Sequence, residues 1–350
     1  MKTIKTGLAA FGMSGQVFHA PFIEANPNFE LSVITERSKN LSQELYPNAH
    51  IVRSFDELLA SDVELVIVNT PDITHFDFAK KALEAGKHVI VEKPFTTTEY
   101  QAKELIDLAK KKRLMLSVFQ NRRLDSDFLT VKQIIDYDVL GRLVEFESTF
   151  SRYRNYIKPD TWKETGKVGE GLIYNLGSHI IDQALQLFGM PEAIFADIST
   201  LRTNGNVDDY FIIHLLHPIN APEVKITLKS SYLMCEAEPR FVLHGTEGSY
   251  VKYGTDRQEA NLTAGMKPYS PDWGKEEEST WGLLHTEKDG LTVKGKYPSL
   301  PGNYGDFYDN VFLHLRCDGI LLSDAEGVLP VIRLIEAAVK SSREQIIVQL

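Results

Sequence analysis

The apolar residues of this chain change rhythm once, near Gly141, and the change separates two kinds of sheet. Before it come short unbroken runs: Ile4 to Ala10, Leu31 to Thr35, Leu65 to Asn69, His88 to Val91 and Leu114 to Phe119. Runs of Val, Ile and Leu this short suit strands buried on both faces. Between them lie amphipathic segments. Ala102, Leu105, Ile106 and Ala109 keep helical spacing, and Thr98 with Gln101 makes a capping box ahead of them. Strand and helix in alternation predict βαβ units and a parallel sheet. After Gly141 the period is two. Val144, Phe146, Ser148 and Phe150 alternate with Glu145, Glu147, Thr149 and Ser151, and Val224, Ile226 and Leu228 alternate with Lys225, Thr227 and Lys229. That is the pattern of an antiparallel sheet with one face buried. A helical segment from Gly177 to Phe188 interrupts it, so the second half reads as α+β.

The expected organisation is a domain over residues 1–122 and a second over 123–350. The stretch from Thr255 to Pro301 is polar, with scattered Gly, Pro and Trp, and reads as long loops suited to a lid. A last helix is predicted near Val331 to Ser342, starting after Ser323 with Glu326 completing a capping box; Pro330 is expected to divide it. This helix is a candidate to pack back on the first domain.

Composition narrows the function classes. A chain of 350 residues with 43% hydrophobic and 25% charged residues is an ordinary two-domain globular protein. Its net charge of -10 argues against a nucleic-acid partner. Cys235 and Cys317 are its two cysteines, too few for a disulfide framework or a cysteine-rich metal site, and no metal is expected. No apolar run is long enough for a signal peptide core or a membrane span, so a cytoplasmic protein without a membrane partner is the expectation.

The first apolar run ends in Ala10-Phe11-Gly12-Met13-Ser14-Gly15 and opens into a helical segment. The spacing is G-x-G-x-x-G with Ala at the first position. Glycine there lets the backbone approach a pyrophosphate, whose charge rests on a helix N-terminus. Its place in the first βα turn favours dinucleotide binding over a plain strand-helix turn. The next run ends at Thr35-Glu36-Arg37-Ser38. Glu36 is placed to bind the ribose hydroxyls of NAD, whereas Arg37 would cover the 2′-phosphate of NADP. A carboxylate repels a phosphate, so the reading leans to NAD.

Three further runs end in polar residues on what would be one edge of a parallel sheet. Val89-Ile90-Val91 is followed by Glu92-Lys93-Pro94. An ammonium held there can polarise a carbonyl or hold a hydroxyl for deprotonation; otherwise Lys93 is a surface lysine on a loop. Asn69-Thr70-Pro71, with His75, ends another run, and Gln120-Asn121-Arg122-Arg123 a third. These residues either contact cofactor ribose and amide or simply form turns.

Taken together these segments resemble the glucose-fructose oxidoreductase / inositol dehydrogenase (Gfo/Idh/MocA) family. Four stretches carry the likeness: Gly12-Met13-Ser14-Gly15 running into Phe18-His19-Ala20-Pro21-Phe22; Ala85-Gly86-Lys87-His88-Val89 leading to Glu92-Lys93-Pro94; Gln120-Asn121-Arg122-Arg123; and Gly177-Ser178-His179-Ile180-Ile181-Asp182-Gln183. The first and third look most like the scyllo-inositol dehydrogenase-like branch. The resemblance implies a Rossmann domain followed by an α+β domain with a large open, mostly antiparallel sheet, through which a dimer or tetramer would assemble. It implies Lys93 as catalytic lysine and His179 as catalytic histidine. The family pattern has Asp four residues before that histidine; here it is Asn175. A carboxylate there would stabilise an imidazolium, whereas an amide orients without supplying charge. Asp182 is expected to serve packing.

The implied activity is hydride transfer between NAD or NADP and a sugar, inositol or related polyol. His179 would take the hydroxyl proton and Lys93 would stabilise the alkoxide, while Arg122, Arg123, Arg152, Tyr153, Arg154 and Trp162 either contact the substrate beside Asn175 or serve the surface and packing. The arginines make acidic or phosphorylated sugars candidates beside neutral inositols. The rival readings are reduction of a non-sugar substrate, and a sugar- or nucleotide-sensing regulator that keeps the fold without its chemistry.

Overall fold

A computed structural model describes every residue except 160, 162, 163 and 218–223. The chain forms two compact units, each assembled from three segments: Met1–Asn121, Gln258–Trp273 and Asn303–Leu329 in the first, Arg122–Arg257, Gly274–Gly302 and Pro330–Leu350 in the second. Two stretches that a single boundary at 122 assigns to the second domain therefore cluster with the first.

The first unit holds six parallel strands: β1 (Ile4–Leu8), β2 (Phe29–Thr35), β3 (His50–Val52), β4 (Leu65–Val68), β5 (His88–Glu92) and β6 (Leu116–Phe119). Their order is β3-β2-β1-β4-β5-β6. This is a Rossmann sheet. Its central strands have no exposed face, since Leu65, Val66, Ile67, Val68, Val89, Ile90 and Val91 are wholly buried. That is why β4 and β5 read as continuous apolar runs. Strand order reverses between β1 and β4, and ligands bind sheets of this type at the carboxyl ends around that reversal. Thr98 caps the helix Glu99–Lys112 by accepting from the Gln101 amide at 3.3 Å, as its capping box predicts. The returning segments pack aromatic side chains on the first helix: Phe22 stacks on Tyr308 at 5.7 Å and meets Trp273 edge-on at 5.7 Å.

Among the described residues of the second unit nine strands form one sheet. They are β7 (Leu143–Thr149), β8 (Ala193–Ser199), β9 (Tyr210–Leu216), β10 (Lys225–Ser231), β11 (Phe241–Gly245), β12 (Gly248–Lys252), β13 (Gly282–Lys288), β14 (Leu291–Tyr297) and β15 (Val348–Gln349). The order is β14-β13-β12-β11-β7-β10-β9-β8-β15, antiparallel except where β7 meets β10. Phe146 on β7 lies across from Ile226 and Leu243, and all three are buried. Glu145 and Glu147 fall on the other, half-exposed face, the period-two pattern of the sequence. The helix Ser178–Phe188 covers the buried face, where Phe188 meets Phe146 at 5.0 Å.

Two expectations need correction. Residues 255–301 are not long loops, because they contain a helix, Gln258–Thr263, and the β13–β14 hairpin. The hairpin turns through Asp289-Gly290, both at positive φ, as two-residue hairpins favour. Strand β14 escaped the sequence reading because it is an outer strand, exposed along its length and carrying Lys294 and Lys296, so no buried face imprints an alternation. The last helix is also longer than expected and undivided, Ala325–Glu344, with Pro330 inside it. Its first turn is held by Asp324, whose Oδ1 accepts from the Gly327 amide at 3.3 Å, and not by Ser323. From Pro330 on its residues belong to the second unit, where the Ser341 and Ser342 hydroxyls accept from the Ala196 and Ile198 amides.

Candidate active site

The first unit presents its polar residues at the carboxyl ends of its strands. After β1 the chain makes the turn Ala10 to Gly15 and enters a π-helical turn, Gly15–His19, that continues as the helix Ala20–Ala25. Asn69, after β4, clamps this turn: its Oδ1 accepts from the Ala10 amide at 2.9 Å and its Nδ2 donates to the Ala10 carbonyl at 2.8 Å. Gly15 is required by that clamp. A Cβ on it would sit 2.7 Å from the Ala10 oxygen and 2.9 Å from Asn69 Nδ2. Gly12 is the opposite case, with no atom within 4 Å of where its Cβ would be. A bare backbone facing open space at a strand-to-helix turn is what a pyrophosphate needs. A dinucleotide's pyrophosphate would fit this turn, and Gly12, Met13 and Ser14 are the residues that could hold it. The Phe11 side chain is buried edge-on against Tyr46.

Glu36, after β2, is buried, and its carboxylate accepts from the Leu41 amide (2.9 Å), the Ser42 amide (2.8 Å) and the Ser42 hydroxyl (2.6 Å). Burial pushes its pKa up, but these donors outweigh that and hold it below the usual glutamate range. The carboxylate thus closes its own loop, whereas Arg37 and Ser38 beside it are exposed. Arg53 ties the same loop by donating to the carbonyls of Glu36 and Lys39.

Thr70 and His75 also turn inward. The two ring nitrogens of the fully buried His75 lie 2.9 Å from the Thr70 carbonyl and 2.8 Å from the Pro94 carbonyl, bracing the loop after β4 against the loop after β5. The latter begins with a cis Lys93–Pro94 bond. Glu92 ends β5 almost fully buried. Its Oε1 lies 3.0 Å from His19 Nε2, and its Oε2 accepts from the Lys93 amide at 3.1 Å. Asn121 is buried at the start of the 3₁₀ turn Asn121–Leu124.

In the second unit a π-helical turn, Ile173–Gly177, carries Asn175 and leads into the helix Ser178–Phe188, which carries His179. His179 is buried, with its ring 6.5 Å from that of Phe150. Asn175 Nδ2 donates to the Tyr232 hydroxyl at 3.0 Å. The Tyr232 ring is flanked by the guanidinium groups of Arg154 (5.4 Å) and Arg202 (5.1 Å). Tyr232 went unnoticed in the sequence because it lies 57 residues from Asn175, with no motif around it.

The arginines after β6 do not look outward. Arg123 forms a buried two-pronged pair with Asp182, at 2.8 and 2.6 Å, which assigns Asp182 the packing role expected of it. Arg122 is buried, donates to Asp125 at 3.1 Å and lies over the Phe150 ring. Arg122 is thus held by Asp125 and Phe150, buried to the same degree as His179. Tyr153 is exposed, and Trp162 lies outside the described residues. Among the described residues no cluster of His, Cys, Asp and Glu is arranged to hold a metal, and no helix is long and apolar enough to cross a membrane.

Comparison with known proteins bears on both halves. Residues 4–120 match the family model described as oxidoreductase family, NAD-binding Rossmann fold, and residues 132–350 match the C-terminal alpha/beta domain of the same family. An uncharacterized oxidoreductase of Schizosaccharomyces pombe is 42% identical, covering all of both chains. The scyllo-inositol 2-dehydrogenase (NADP(+)) IolW of Bacillus subtilis is 36% identical over 98% of this chain and 95% of its own. A crystal structure of an oxidoreductase from Bacteroides fragilis superposes with a TM-score of 0.92, at 64% identity and full coverage of both chains.

Proposed function

This chain belongs to the Gfo/Idh/MocA family and is an oxidoreductase with a nicotinamide-dinucleotide fold; we propose that it moves a hydride between that cofactor and a CH–OH carbon of a sugar, inositol or related polyol. The observation that carries this reading is the end of β5, where the buried Glu92 accepts from the Lys93 amide and Lys93 follows the apolar strand. The cofactor supplies or accepts the hydride at its nicotinamide ring when bound. The chain's own residues do the rest. Lys93 donates a hydrogen bond to the substrate oxygen and stabilises the alkoxide as it forms. His179 takes the hydroxyl proton during oxidation and returns it during reduction. Asn175, fixed by Tyr232, orients the substrate but supplies no charge to the imidazole.

NADP is proposed as the better cofactor. A preference for NAD would rest on Glu36, whose carboxylate is engaged with Leu41 and Ser42, whereas the exposed Arg37 and Ser38 suit a 2′-phosphate. The name of the Bacillus relative points the same way. Neutral polyols are favoured over acidic sugars, because Arg122 and Arg123 are engaged with Asp125 and Asp182. The half-exposed face of the nine-stranded sheet, with Phe195, Ile212 and Val242 on it, is the proposed subunit contact.

The test is a screen of inositols, aldoses and sugar acids with NADP and with NAD, following reduced nicotinamide. Turnover of a neutral polyol, faster with NADP, supports the proposal. Turnover confined to imines, enones or other non-polyol substrates would overturn it.

A further inference from the structure

His19 belongs to the Phe-His-Ala-Pro-Phe segment, and the reaction just described gives it no task. It is wholly buried, as is Tyr308. Its Nδ1 lies 2.8 Å from the Tyr308 hydroxyl, and its Nε2 lies 3.0 Å from Glu92 Oε1. The Tyr308 hydroxyl donates to the Phe18 carbonyl at 2.9 Å. A hydroxyl has one proton, so towards His19 the Tyr308 oxygen accepts, and Nδ1 is the N–H. A single proton is then left between Nε2 and Oε1. Whichever atom carries it, the His19–Glu92 pair is neutral. Burial raises the Glu92 pKa, but His19 outweighs it and holds the group low, with smaller help from Lys93 and His75. The other Glu92 oxygen accepts from the Lys93 amide at 3.1 Å.

From this chain we infer that His19 is a positioning residue for Lys93. Tyr308 fixes the ring, the ring fixes one carboxylate oxygen, and the other oxygen fixes the lysine's main chain. The shared proton also keeps Glu92 from standing as a bare anion beside the lysine. A buried carboxylate left without that partner would turn or draw in the ammonium, and the lysine would lose its aim. The inference rests on Lys93 being the catalytic lysine. The charged and titratable groups facing this assembly are Lys93 and His75 around Glu92, and Tyr269 near Tyr308.

Two substitutions separate the two bonds of the ring. In His19→Gln the amide nitrogen falls where Nε2 was and still donates to Glu92. In His19→Asn it falls where Nδ1 was, and Glu92 loses its donor. Hydrogen exchange at the Lys93 amide, compared with that of Val89 to Val91, reads the positioning without any substrate. Expected are faster exchange at Lys93 alone in His19→Asn and near-normal protection in His19→Gln. With scyllo-inositol and NADP as the probe pair, His19→Asn should lower kcat about 100-fold with little change in KM for NADP, as small misplacements of a catalytic group do. It should also move the alkaline limb of the pH profile, and His19→Gln should recover most of the rate. Equal exchange and equal rates in the two variants would overturn the inference, leaving His19 as core filling. Should the His19 variants not fold, Tyr308→Phe keeps the ring and removes the hydroxyl; unchanged Lys93 exchange there overturns it equally. Lys93→Met in the same series separates the two readings. Activity surviving that change removes the catalytic lysine itself, whereas an inactive Lys93→Met beside a normal His19→Asn removes only the role of His19.

Discussion

The two units bury polar groups in different ways. In the first, buried polar side chains end on main chain: Asn69 on Ala10, Glu36 on Leu41 and Ser42, His75 on the Thr70 and Pro94 carbonyls, Glu92 on the Lys93 amide. Even the Tyr308–His19–Glu92 chain ends on backbone at both ends. In the second, the buried arginines pair with carboxylates. Arg123 meets Asp182, Arg122 meets Asp125, Arg240 lies 3.4 Å from Asp127, and Arg202 binds Glu164 and Asp209. Side chains that hold backbone shape the loops that meet a ligand. Side chains that hold each other fix how a helix lies on a sheet. The first unit should therefore lose function before it loses stability, and the second the reverse.

Lys93→Met probes the first half of that contrast and carries the largest effect. We expect kcat to fall by roughly 10³-fold or more, the scale of losing a charge stabiliser, with the melting temperature and NADP affinity nearly unchanged. A variant that unfolds instead would erase the distinction between the units. Arg123→Leu probes the second half. Leaving Asp182 buried and unpaired should cost about 3–5 kcal/mol in denaturant unfolding, and replacing both partners by apolar residues should recover much of it.

Asp208 sharpens the comparison because it ends on main chain, as the buried Glu170 and Asp256 of its unit also do. Its Oδ2 accepts from the Ile173 amide at 2.7 Å, and its neighbour at Gly171 has no room for a Cβ. Burial pushes its pKa up to about 6 despite that bond. A folded-state pKa above the unfolded one means the folded chain binds the proton more tightly. The stabilisation is complete below the ordinary aspartate range and is lost as pH rises through about 6. Asp208→Asn should remove this slope and stabilise the protein at pH 8 by on the order of 1–3 kcal/mol, measured by unfolding at several pH values. The smallest effect is expected at the exposed Arg37. Arg37→Ala should lower kcat/KM for NADP about tenfold, the scale of one charge-assisted contact, and leave NAD unaffected.

The same contrast explains what could be read from the sequence. Strands β4 and β5 were legible because burial on both faces makes them unbroken apolar runs, and with β5 came the position of Lys93 at its end. Glu36 and Arg37 were legible as a position. The direction of the Glu36 carboxylate was not, since it depends on amides five and six residues on that a loop must curl to present. Long-range partners leave no local mark. Tyr308 is 289 residues from His19, and Asp182 is 59 from Arg123, so that arginine read as a possible sugar contact. The β13–β14 hairpin was missed for the reverse reason: exposed strands do not need alternation.

In the proposed reaction hydrogen passes directly from a polyol carbon to the nicotinamide, aided by Lys93. Incubating the enzyme and NADP with scyllo-inositol deuterated at its ring carbons, then locating deuterium by NMR, tests it most directly. Deuterium is expected on C4 of the reduced nicotinamide, on one face only, and none in the Lys93→Met protein. Reduced cofactor that carries solvent hydrogen, or equal labelling by the Lys93→Met protein, would contradict it.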